Sequence, residues 1–225
     1  MIKKLLLVAL SIILIFSITA CNKNEETTNP TDESPMEVVA KVNDKEISWE
    51  QYRSMVGNMK SYYQQFGMDF EQEENKELLD MLEAEAINVL IQEELIYQSA
   101  VEKNYKVTDE DIDKELEGFK AQYEKEEEFL NDLEANSLTL DSLREKIAKE
   151  KLLSMYMQNE ISEPDITEEE IKDLYDEHSK TKEDLPPLEE IRAELTEEVK
   201  QKKVLAGFED LIEVLKSKSK VEIFL

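Results

Sequence analysis

Residues 38–51, VVAKVNDKEISWEQ, pass from strand to turn to helix within fourteen residues, and that passage decides how the rest of the chain is read. Val38-Val39-Ala40-Lys41-Val42 is a β-branched run, which favours an extended strand because side chains forked at Cβ pack well on a pleated surface. Asn43-Asp44 follows as a turn dipeptide, and Glu46-Ile47 leads into Ser48. Ser48-Trp49-Glu50-Gln51 has the form of a capping box, in which the Ser48 hydroxyl accepts from an N–H of the first helical turn and Gln51 reaches back to the Ser48 N–H. A short strand therefore hands over to a helix.

Downstream of this start the apolar spacing is helical. The first helix is predicted to run from Ser48 to Phe66, where Gly67 stops it, and a longer one from Asn75 to Asn104. Leu78, Leu82, Ala86, Val89, Leu90, Glu93, Ile96 and Ala100 give the longer helix a mostly apolar stripe. Thr108-Asp109-Glu110-Asp111 opens a third, and acidic helical stretches continue to Asn136. Thr139 or Asp141 opens a fourth stretch, carrying Leu143, Ile147, Leu152, Met155 and Tyr156 and ending before Pro164. Thr167-Glu168-Glu169-Glu170 is a second capping box, starting a short helix to His178, after which Ser179 to Pro187 is a break. The last helix spans Leu188 to Ser217 with Ile191, Leu195, Val199, Val204, Phe208, Leu211, Ile212 and Leu215.

Lys220-Val221-Glu222-Ile223-Phe224-Leu225 then alternates as a strand does. No strand is stable alone, so its natural partner is the strand at 38–42. The expected fold is mainly α, with a small β element that pairs the N- and C-terminal strands.

The N-terminus carries a different signal. Lys3 and Lys4, the apolar run Leu5 to Phe16, and Ser17-Ile18-Thr19-Ala20 form the three parts of a signal peptide at residues 1–20. Cys21, the only cysteine, stands directly behind it, and Ile18-Thr19-Ala20-Cys21 resembles a lipobox, which implies lipid modification of the Cys21 thiol. Residues 21–36 have no apolar periodicity and are rich in Asn, Thr, Pro and acid, so they read as a tether. Fully extended, such a tether reaches up to roughly 50 Å. The folded domain is expected over residues 37–225, with an N-terminal lobe at 37–162 and C-terminal helices and a strand at 165–225. The expected location is extracytoplasmic, held to a membrane through the lipid. With lysine outnumbering arginine 24 to 3, the lipobox suggests a Gram-positive source.

Removing residues 1–20 takes away two lysines and no acids, leaving 25 basic against 54 acidic residues and a formal charge of −29. Nucleic acid is excluded as a partner by repulsion from its phosphates, and basic polypeptides are attracted. No glycine-rich phosphate loop is present, so no cofactor, ATP included, is expected. Asp109, Asp111 and Asp113 imitate the start of a calcium loop, but Lys114 stands where that loop needs Gly and Lys120 where it needs Glu, so no metal site is expected. His178 has no Cys, His or Ser constellation around it and suffices as a cation near a helix C-terminus, so no catalytic residue is assigned.

Val39 to Ser48 (VAKVNDKEIS) resembles the opening of the SurA/PrsA family of secretion chaperones. Leu90 to Leu95, Val107 to Ile112, Thr167 to Tyr175, and Pro187 through Ile223 are similar to that family in the same order. The resemblance covers nearly all of residues 38–225. PrsA-like members insert a parvulin-type prolyl isomerase domain before the last helix, whereas here only eight residues join His178 to Pro187. With one histidine and four glycines, the chain resembles the chaperone part of the family without the isomerase.

The resemblance implies an ATP-independent chaperone for unfolded or newly secreted polypeptides. The candidate binding residues are Met55, Met59, Tyr62, Tyr63 and Phe66, continued by Met68 and Phe70, because pliable methionine and broad aromatic surface suit loose recognition of many chains. The alternative is that this stripe packs inward as ordinary core, with Tyr62, Tyr63 and Phe66 the members expected at the surface. Met155, Tyr156 and Met157 form a second candidate patch. A lipoprotein adaptor holding one specific envelope partner uses the same scaffold and is the rival reading; a PrsA-like prolyl isomerase is the third. The oligomeric state is left open.

Overall fold

The computed structural model describes residues 38–136, 138–181 and 184–225. The expected signal peptide and tether, with Cys21, lie outside the described residues. Among those described are β1 (Val38–Val42), β2 (Lys45–Ser48), α1 (Trp49–Gln64), α2 (Lys76–Glu102), α3 (Asp109–Lys120), α4 (Glu126–Ala135), α5 (Leu140–Glu160), α6 (Glu168–Ser179), α7 (Leu188–Ser217) and β3 (Val221–Ile223). The mainly α expectation holds. The chain divides into two compact units, one reaching to Ser99 and resuming at Lys216–Leu225, the other Ala100–Leu215.

In the first unit the two ends of the described chain meet. The sheet order is β2-β1-β3, all antiparallel, with Ala40 opposite Ile47 and Ile223, and Lys41 opposite Glu46 and Glu222. The predicted pairing of terminal strands is therefore present, and residues 45–48 add a third strand. That strand forms because Asn43 takes a left-handed φ of 54°, a conformation asparagine tolerates better than most residues, so the chain reverses at Asn43-Asp44. Asn43 also ties the unit together. Its N–H donates to the Lys220 carbonyl at 2.7 Å and its Oδ1 accepts from the Lys220 N–H at 2.9 Å. Its Nδ2 donates to Gln98 Oε1 at 2.7 Å, and Gln98 Nε2 donates to the Val42 carbonyl at 3.1 Å. Beyond the strand, the Phe224 N–H donates to the Val39 carbonyl at 2.8 Å.

Burial in this unit falls on Val39, Ala40, Val42 and Ile47 of the sheet, Tyr52, Phe70, and Leu82, Ala86, Ile87, Leu90, Ile91, Leu95 and Ile96 of α2. The buried face of α2 is wider than the predicted stripe: Ile87, Ile91 and Leu95 join it, whereas Leu78, Val89 and Glu93 are half-buried.

In the second unit, α3, α4 and α5 enclose Ile112, Leu116, Phe129, Leu133, Leu143 and Ile147. The Tyr123 hydroxyl donates to Asp132 Oδ2 at 2.5 Å, and this bond, aided by burial, pushes the phenol up to about 12. Ile171 and Leu174 of α6 pack with Leu195 and Val199 of α7. Capping boxes open α1, α3, α5 and α6 at Ser48, Thr108, Thr139 and Thr167. At the last of these Glu170 accepts from Lys203 Nζ at 2.6 Å as well as from the Thr167 N–H and hydroxyl, which holds its carboxyl down to about 2.

Candidate functional site

The residues singled out in sequence lie on α1 and the bend behind it, all within the first unit. The spacing of Tyr52, Met55, Val56, Met59, Tyr62, Tyr63 and Phe66 places them on one face of a helix with 3.6 residues per turn. Burial fades along that face. Tyr52 is buried and stacks on Trp49 at 5.1 Å between ring centroids, Met55, Met59, Tyr62 and Tyr63 are half-buried, and Phe66 is 70% exposed. An apolar face that fades from covered to open presents a surface at its open end, because aromatic area left in water is area a partner can cover.

At that end three rings form a cluster. Tyr62 meets Tyr63 edge-on at 5.6 Å and Phe66 at 5.2 Å, arrangements in which the positive ring edge faces a negative ring face. The helix stops because Gly67 adopts a φ of 84°, open to glycine without penalty, while the Met68 N–H returns to the Tyr63 carbonyl at 3.3 Å. The bend is then fixed by Asp69. Its carboxylate accepts from the Glu71 N–H and Gln72 Nε2, both at 3.0 Å, and its carbonyl accepts from Asn75 Nδ2 at 2.7 Å. The Gln72 and Glu71 bonds hold the Asp69 carboxyl below the usual carboxylate range. Phe70 turns inward and is buried, with Lys60 Nζ 5.6 Å from its ring centre, and Met68 stays 40% exposed. The result is a fixed corner that displays aromatic and methionine side chains on a hydrogen-bonded backbone.

In the first unit, further exposed apolar residues not singled out as binding candidates in sequence include Met81 and the C-terminal Ile223, Phe224 and Leu225. Met81, on the first turns of α2, is 63% exposed. Ile223, Phe224 and Leu225 are each more than half exposed at the outer edge of the sheet. The alternation at 220–225 was the signal for these, since a strand with only one paired edge and one covered face leaves apolar side chains outside.

The second predicted patch is not a surface, because Tyr156 and Met157 are buried. Tyr156 meets the Tyr105 ring edge-on at 5.5 Å, beside Glu160, which accepts from Lys103 Nζ at 2.5 Å and from the Tyr105 hydroxyl at 3.2 Å. His178 lies 3.3 Å from Glu198 of α7, so it has a partner besides the helix end. The cleft between α6 and α7 is lined by Glu170, Asp173, Leu174, Glu177, Val199, Lys202 and Lys203, with Lys203 paired to Glu170 and Lys202 to Glu198 at 3.3 Å. Of the aspartates that imitate a calcium loop, Asp111 accepts from Thr108 and Asp113 pairs with Arg144. Among the described residues no helix is long and apolar enough to cross a membrane.

Residues 1–157 match the family described as the SurA-like N-terminal domain. A foldase protein PrsA of Caldanaerobacter subterraneus subsp. tengcongensis is 27% identical over 185 residues, which cover 77% of this chain and 52% of that protein. A foldase protein PrsA of Clostridium botulinum is 26% identical over 188 residues, covering 78% of this chain and 54% of that protein. The chain thus spans about half the length of the curated relatives it matches.

Proposed function

Because the chain belongs to the SurA-like N-terminal domain family, and its relatives carry the name foldase, we propose that it is an ATP-independent chaperone that holds unfolded polypeptides at the aromatic corner behind α1. The observation that carries this reading is the exposed Phe66, set against the Tyr62 ring, which in turn meets Tyr63, at the open end of a half-buried methionine face. Holding an unfolded chain needs accessible apolar area on a body that stays soluble, and the excess of 54 acidic over 27 basic residues supplies the second requirement. Rings and thioethers adapt to many sequences because their contacts are non-directional. The protein works outside the cytoplasm, anchored through a lipid on Cys21, with the tether at 21–36 giving the folded part reach.

This function includes no prolyl isomerisation. That reaction crosses a barrier of about 18–20 kcal/mol and requires a pocket shaped to the twisted amide. The aromatic corner is exposed to solvent at Phe66 and Met68, and the cleft between α6 and α7 is lined mostly by charged side chains.

The test uses the full chain in nanodiscs of neutral lipid, with empty nanodiscs as the blank. Without nucleotide it should slow aggregation of several unrelated chemically unfolded proteins and leave the cis/trans relaxation of a proline peptide at its uncatalysed rate. Replacing Tyr62, Tyr63 and Phe66 together by serine should weaken the protection while helical content stays unchanged. Equal protection by the triple variant places the surface elsewhere, and protection of one protein alone favours the specific-adaptor reading.

A further inference from the structure

The aromatic corner is bordered by acid to a degree that its apolar character does not require. From Phe66 to Glu85 the chain carries Asp69, Glu71, Glu73, Glu74, Glu77, Asp80, Glu83 and Glu85 against a single base, Lys76. All but Glu83 of these acids are exposed. Lys76 lies 3.5 Å from Glu73, and among the described residues Glu71, Glu74, Glu77, Asp80 and Glu85 have no ion-pair partner. Elsewhere a minority of the acids are neutralised by ion pairs, among them Glu46 by Lys41, Glu115 by Lys151, Glu168 by Arg192 and Glu170 by Lys203, so the corner is set apart by the density of its acids beside exposed apolar side chains. The bonds made by Asp69 hold this acidic stretch in a fixed bend directly behind Phe66 and Met68. The nearest base on α1, Lys60, is directed at the Phe70 ring.

Resting on the client-binding reading above, we propose that this corner selects unfolded segments in which aromatic or aliphatic residues are flanked by lysine or arginine. Apolar contact supplies affinity but little choice, because it is non-directional and scales with area. The choice then falls to charge. A cationic segment laid across Phe66 and Met68 brings its ammonium or guanidinium groups within a Debye length, about 10 Å at 0.1 M salt, of several unpaired carboxylates, while an acidic segment meets repulsion from the same groups. The aromatic cluster adds to the preference, since ring faces attract cations. The net acidic charge draws such segments in from a distance, and the corner is where that attraction coincides with exposed apolar surface.

Three fifteen-residue peptides with the same Phe, Tyr and Leu content, flanked by Lys, Ser or Glu, are titrated by fluorescence anisotropy against the full chain in neutral-lipid nanodiscs. Affinity should fall in the order Lys, Ser, Glu, with about a ten-fold gap between the first and last at low salt, shrinking to about two-fold at 0.5 M salt. Glu71, Glu73, Glu74 and Glu77 changed together to Gln should compress the low-salt gap to about two-fold, with circular dichroism confirming an intact fold. Equal binding of all three peptides overturns the charge selection and leaves the client-binding reading standing. Absence of binding by any peptide overturns both. An undiminished gap in the four-Gln variant overturns the assignment of selection to this corner.

Discussion

Asn43 should be the most sensitive turn position in the first unit, because one half-buried side chain joins the β1–β2 turn, α2 and the C-terminal strand. Asn43→Ala removes the bonds to the Lys220 N–H and to Gln98 Oε1, each worth about 1 kcal/mol net. It also leaves a residue with a Cβ at a φ of 54° without the local polar bonds that offset that conformation, a further cost of about 1 kcal/mol. The sum is about 3 kcal/mol, and for a urea slope of about 2 kcal/mol per molar the midpoint should fall by about 1.5 M. Asn43→Gly loses the same bonds without the steric cost, so its shift should be nearer 1 M, about 2 kcal/mol. Trp49, the only tryptophan, lies in this unit next to Tyr52, so its fluorescence reports the unfolding of this part of the chain. A shift below about 0.3 M for Asn43→Ala would falsify the claim that this residue locks the terminal strand, and a larger loss for Gly than for Ala would refute the backbone argument.

Three other outcomes are expected. Ile147→Ala, in the buried centre of the α3–α5 cluster, should cost about 2–4 kcal/mol by urea unfolding monitored at the helical circular-dichroism band, since it opens a cavity as well as losing burial. Glu170 is held at about 2 against an ordinary 4.5, so its contribution to stability is complete above pH 4.5 and is lost as the pH falls from there toward 2; the melting-temperature gap between the native chain and Glu170→Gln should narrow across that window, and a gap independent of pH would refute the Lys203 and Thr167 contacts as its source. Cys21→Ser should abolish incorporation of labelled fatty acid and release the protein from membranes, and a variant retained at the native level would show a second anchor.

Where α1 and α6 begin was legible in the sequence because a capping box is a matter of four consecutive residues, whereas the start of α4 at Glu126, which has no side-chain cap, was not. Ser48 with Gln51 and Thr167 with Glu170 read as boxes from their spacing, and the same side chains close the same bonds in the fold. The pairing of the two terminal strands was legible too, since an isolated strand has no stable form and the chain offered one at each end. The mainly helical composition followed from the apolar period. What a helix covers, by contrast, depends on what arrives against it from elsewhere. The same Met and aromatic vocabulary became core at Tyr156 and Met157, where the Tyr105 ring closes over Tyr156, and became surface at Phe66, where Gly67 turns the chain away. The third strand, the Asn43 tie to Lys220 across 177 positions of sequence and the closing of Ile87, Ile91 and Leu95 into the buried face were likewise decided by tertiary structure. Local hydrogen bonds are encoded by neighbours in sequence, whereas burial is encoded by neighbours in space.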